Sequence, residues 1–172
     1  MFESLPDIPR LFTALAEWGA ALVYVFVVAR SASSNALNPN AAIPRWRLTV
    51  ATVGGLVVLA SAQELLGRAP LSLWVPGMMT AYALVWCVIR VGTALDWRWV
   101  THMSTRAFIV AELAASLAWQ VVVYSHADKP YWHPASFGGF AAIAVTCLAV
   151  VYFFERRVYR QGALPILRVS DL

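Results

Sequence analysis

Five apolar runs, each about as long as a bilayer is thick, constrain this chain more than anything else in it. They cover residues 11–29, 48–66, 71–89, 107–124 and 136–154. A hydrocarbon layer of about 30 Å is crossed by roughly 17–25 helical residues. Backbone N–H and C=O groups in lipid must pair within their own segment, so each run is expected to be a helix. The expected fold is all-α: an integral membrane bundle of five transmembrane helices, forming one membrane domain over residues 1–172. Composition agrees. The chain is 60% hydrophobic and 13% charged, where a soluble domain carries about 25% charged residues.

The basic residues set an expected orientation. Arg10, Arg68 and Lys129 lie on one side of the spans, three in all. Arg30, Arg45, Arg47, Arg90, Arg98, Arg106, Arg156, Arg157, Arg160 and Arg168 lie on the other, ten in all. Basic residues in short loops favour the cytoplasmic face, so the N-terminus is expected outside and the C-terminus in the cytoplasm. This places the chain as a multi-pass protein of the cytoplasmic (inner) membrane. The same logic accounts for the net charge of +4 without a nucleic-acid partner. Trp46, Trp97 and Trp99 fall at expected inner boundaries, and Trp74, Tyr131 and Trp132 at outer ones, as aromatic belts do. Glu3, Asp7 and Glu17 argue against the first run being a cleaved signal peptide.

Polar residues within the spans are the candidate functional groups. An ionised acid near a helix centre costs about 2.5–3.5 kcal/mol on insertion scales. Glu17, Glu64 and Glu112 each therefore need a partner, a water-filled cavity or a proton. Glu64 precedes Arg68 by four residues, a helical ion-pair spacing, and reads either as an interfacial salt bridge or, with Gln63, as the lining of an outward pocket. Glu17 shares a helix face with Thr13 and Tyr24. Glu112, Ser116 and Gln120 form a second polar stripe, expected to face the bundle interior as interhelical glue, ligand site or proton relay. Beside it, Ala107, Ala111 and Ala115, with Ala114 and Ala118, form a small-residue face that suits close helix approach. On that basis the fourth span is expected to be central. Gly54, Gly55, Gly138 and Gly139 would serve close approach elsewhere. The candidate ligand-binding residues are thus Glu17, Gln63, Glu64, Arg68 and Gln120, and the candidate packing or relay residues are Glu112, Ser116, Ala107, Ala111 and Ala115.

Catalytic motifs are not found: there is no HExxH, P-loop or GxSxG. Cys87 and Cys147 lie in apolar runs, where cysteine behaves as a small hydrophobe. His126, Asp128 and His133 share the outer loop HADKPYWH, but their spacing matches no strong metal motif. Neither metal nor cofactor is expected, and no enzymatic activity.

The stretches SLPDIPRLFTALAEW (4–18) and RAFIVAELAASLAWQ (106–120) resemble the N-terminal membrane sensor region of bacterial GHKL-type sensor histidine kinases. The resemblance implies sensing of an external cue, with the last span continuing to a phosphate-accepting histidine and an ATP-binding domain. This sequence has no histidine after His133 and departs from that pattern at its end, so it is expected to be a truncated sensor portion or a relative acting through a partner. The function expected is therefore a sensor or receptor module in the lipid bilayer, working as a homodimer or with a cytoplasmic signalling partner. A small transporter or proton-translocating subunit, and a structural partner in a membrane complex, are the alternatives.

Overall fold

The computed structural model describes residues 8–34, 43–93, 95–125 and 133–160. All its regular elements are helical. Five helices are long and apolar enough to cross a membrane: α1 (Arg10–Ser34), α2 (Arg45–Leu66), α3 (Trp74–Thr93), α4 (Trp97–Ser125) and α5 (Pro134–Arg160). Helices α2, α3, α4 and α5 each pack against the next, and α1 packs against all four. The first span, rather than the fourth, is therefore the central one. Its Ala14, Ala16, Ala20 and Ala21 are buried on several faces, so neighbours can approach α1 from every direction.

The helix limits follow local chemistry. Pro70 precedes a 3₁₀ turn at Leu71–Leu73, and α3 starts only at Trp74. Pro76 then falls in the first turn of α3, where its missing N–H leaves no helical bond unmade. Helix α4 begins at Trp97, ten residues ahead of its apolar run (97 against 107). Its early turns are amphipathic: Val100, Met103, Ser104 and Ala107 are buried at helical spacing, while Trp97, Arg98 and His102 are exposed. The α3–α4 corner is closed by Arg90, whose Nη1 donates to the Leu95 carbonyl at 2.6 Å. Helix α2 contains one wide π turn, Val50–Gly54. Within that turn the Thr52 carbonyl accepts a 2.7 Å bond from the Trp18 indole N–H of α1.

Two apolar clusters hold the bundle together. The larger joins Ala16, Ala20 and Tyr24 of α1 to Leu59 of α2, Val85 and Ile89 of α3, and Met103, Ala107, Ala111 and Ala115 of α4. The smaller surrounds Phe12, which stacks on Phe140 of α5 with ring centroids 4.0 Å apart and meets Trp119 of α4 edge-on at 6.0 Å. Aromatic pairs of this kind contribute about 0.5–1.5 kcal/mol beyond their burial. Other large apolar side chains, among them Val57, Leu65, Met79, Ile109, Leu113, Val150 and Phe153, are exposed on the outside of the bundle.

Glycines mark two close approaches between helices. A Cβ on Gly92 of α3 would lie 2.7 Å from a Val25 methyl of α1 and 3.1 Å from the Ala51 Cβ of α2. A Cβ on Gly55 of α2 would come within 3.1 Å of Val88 in α3. Gly138 has nothing within 4 Å of such an atom, so its expected packing role is not met. Gly92→Ala should lower stability by about 1–3 kcal/mol, the usual overpacking cost. Gly138→Ala should be neutral or slightly stabilising. Thermal unfolding of the two variants in detergent measures the difference.

Candidate functional site

Two buried polar junctions lie on α1, seven residues apart on one face (17 and 24). The first is built on Glu17, which is 0% exposed. Gln63 of α2 turns inward beside it, and its Nε2 donates to Glu17 Oε1 at 2.8 Å. The other carboxyl oxygen, Oε2, is buried with no hydrogen-bond partner among the described residues. Glu112 of α4 is half-buried, and its Oε1 is likewise enclosed and unpartnered. The two acids are close enough to interact electrostatically. Such a pair in an apolar surround can accept a proton, a cation or a hydrogen-bond donor.

Gln63 also borders a cavity of about 70 Å³ that it shares with Arg10, Leu66, Leu73, Trp74 and Met78. The Arg10 side chain lies across Gly67, where a Cβ would sit 2.8 Å from its Cγ. The arginine thus reaches the mouth of the cavity because position 67 carries no side chain. The amide of Gln63 connects this space to Glu17.

The second junction lies about two turns further along α1, at Tyr24. The Tyr24 hydroxyl donates to Glu155 Oε1 of α5 at 3.2 Å, and the Arg106 guanidinium of α4 forms an ion pair with the same oxygen. Glu155 is 1% exposed and Arg106 39%. Three helices, α1, α4 and α5, therefore meet on one carboxylate.

The structure gathers some of the expected site residues and separates others. Glu17 and Gln63 are in contact. Glu64 and Arg68 form their 2.9 Å ion pair on the outer surface of α2, with side chains 62% and 74% exposed, away from that contact. Gln120 is exposed on α4, and Ser116 is half-buried. The expectation of an inward Glu112–Ser116–Gln120 stripe is corrected here. A helix can turn only one of two neighbouring faces fully inward, and α4 turns the alanines: Ala107, Ala111, Ala114, Ala115 and Ala118 are all buried. Glu112 keeps only the edge of the interior.

Glu155 and Arg106 were not singled out from the sequence as a site. Each stands at the border of an apolar run, among other charges, and 49 positions separate them (155 − 106). The available signal was topological, since both fall at the same end of the bundle. His133 has a local role, its Nδ1 accepting from the Ala135 N–H at 3.2 Å at the start of α5. His126, Asp128, Tyr131 and Trp132 lie outside the described residues. Among the described residues no group of three or more potential metal ligands comes together.

Removing one member of a buried ion pair leaves a stranded charge, at a cost of about 3–5 kcal/mol. Arg106→Met should fall near about 3 kcal/mol, the low end of that range, because the arginine is part-exposed. Arg106→Met combined with Glu155→Met should recover most of the loss. Unfolding free energies for the two single variants and the double variant give the coupling.

Searches against protein-family models, curated proteins and solved structures returned no match, so function has to be argued from these residues and their geometry.

Proposed function

We propose that this chain is a bacterial membrane sensor module that receives an external or membrane-borne ligand at the Arg10 end of the bundle and passes the change to the last span. One observation carries this reading: α1 bears both buried polar junctions, and the second of them grips α5. A ligand entering the cavity beside Gln63 would compete for, or tighten, the Gln63–Glu17 contact. A shift of α1 would then bear on Tyr24 and, through Glu155, on the basic end of α5. Such a response requires the ligand to prefer one packing arrangement over another. The excess of basic residues at the Glu155 end supports a cytoplasmic position for it, and an inner-membrane location. The resemblance of residues 4–18 and 106–120 to sensor regions of GHKL-type kinases supports the same assignment. A homodimer, or a cytoplasmic kinase partner, would receive the output.

The test is a chimera with the chain joined ahead of a GHKL-type kinase domain. Gln63→Leu, Tyr24→Phe and Glu155→Gln should each change basal autophosphorylation by about threefold, the equivalent of roughly 0.6 kcal/mol per interhelical hydrogen bond. Glu64→Gln and Gln120→Ala should leave it unchanged. Wild-type output from all three junction variants would overturn the reading.

A second reading, a proton-translocating subunit, is favoured by one specific observation. Glu17, Glu112 and Glu155 each hold a buried carboxyl oxygen without a hydrogen-bond partner among the described residues. Intramembrane acids of this kind serve proton relays. Proton flux into proteoliposomes that falls in a Glu17→Gln, Glu112→Gln double variant would favour it over sensing. Flux unaffected by the double substitution would dismiss it.

A further inference from the structure

Near the Tyr24–Glu155 junction, α1 and α5 leave an open groove of about 560 Å³ lined by Phe26, Ala29, Arg30 and Tyr152. It lies at the level of the Tyr24–Glu155 bond, since Phe26 follows Tyr24 by two positions and Tyr152 precedes Glu155 by three. We infer that this groove is a binding site for one anionic phospholipid, its phosphate against Arg30 and an acyl chain along Phe26 and Tyr152.

Three features point to this occupant. The guanidinium has five N–H donors in a fixed fork that matches phosphate oxygens, so Arg30 can keep a protein contact and still meet a headgroup. Phe26 is 45% exposed, and Val150, Phe153 and Phe154 of α5 are exposed on the helix that forms the opposite wall. A surface this apolar on a membrane-spanning helix already lies among acyl chains, which gives a lipid a route into the groove that a soluble anion lacks. Arg30 also closes the first apolar run on the side with the excess of basic residues, where anionic headgroups of the cytoplasmic leaflet would be met. Glu155 does not oppose the site, because its charge is buried and paired with Arg106. A lipid held there would brace α1 against α5 beside the bond that joins them.

The experiment is lipid retention by the full chain, purified in detergent and read by native mass spectrometry. The probes are phosphatidylglycerol and phosphatidylcholine of equal chain length. Phosphatidylglycerol should be retained over phosphatidylcholine by about fivefold, the effect of one arginine at a lipid headgroup. Arg30→Gln should abolish that preference and Arg30→Lys should keep most of it. Phe26→Ala should lower retention of both lipids, and Arg157→Gln, on the exposed side of α5, should change nothing. Circular-dichroism melts establish that each variant is folded. If Arg30→Gln fails to fold, Arg30→Lys and Phe26→Ala still decide the matter. Equal retention of the two lipids, or a loss of preference in Arg157→Gln matching that in Arg30→Gln, would overturn the site in favour of diffuse surface charge. Displacement of the lipid by inorganic phosphate alone would overturn it in favour of a free anion.

Discussion

A helix that carries a carboxylate into an apolar bundle has to be enclosed, and that requirement organises this fold. Glu17 cannot face hydrocarbon without a cost of a few kcal/mol. Helix α1 is therefore the one that touches every other helix. The enclosure is possible because alanine dominates the faces around it, from Ala14 to Ala21 on α1 and from Ala107 to Ala118 on α4. Small side chains bring backbones close, and close backbones leave room for few polar groups. Those that remain are paired by residues from other helices: Gln63 for Glu17, Arg106 and Tyr24 for Glu155.

The two junctions differ in kind. Glu155 is held by a cation and a hydroxyl, so its negative charge is compensated where it stands. Both acids keep one buried oxygen without a partner among the described residues, but Glu17 is held by a neutral amide and has a second acid nearby. A compensated charge suits a fixed joint. A carboxyl without a paired cation suits a place where something arrives. The asymmetry fits a direction of travel along α1, from Glu17 beside the cavity towards Tyr24 and its bond to Glu155.

Much of the architecture was legible in the sequence because hydropathy over a span-length window is a strong signal. The five runs became five helices. The first ten residues of α4 were not legible in this way, since Arg98, His102, Thr105 and Arg106 depress hydropathy. The helical spacing of Val100, Met103 and Ala107 shows them only to an amphipathicity reading. Glu17 and Gln63 were each recognisable as unusual, but their contact joins positions 46 apart and depends on helix rotation. Rotation also turns the polar stripe of α4 away from the interior. Sequence shows that a polar face and an alanine face lie side by side, and only packing decides which one turns inward. Glu155 was hidden by its company, an acid beside Arg156 and Arg157 at the end of an apolar run.

The π turn in α2 has its own consequence. Ala51, Gly55, Leu59 and Gln63 are buried at strict four-residue steps, a pattern that drifts around a regular helix of 3.6 residues per turn. The wider turn at Val50–Gly54 absorbs part of that drift and brings Ala51 into phase with the residues beyond it. The bulge is in effect a spare residue. A deletion within Val50–Gly54 can be taken up by the helix becoming regular. A deletion between Gly55 and Gln63 has no such reserve: it swings the two sides of α2 by about 100° relative to each other. In that case Gln63 parts from Glu17 or the opposite half of α2 leaves its seat. Deletions in this chain should therefore be tolerated unevenly along a single helix, with the tolerant segment at its widest turn.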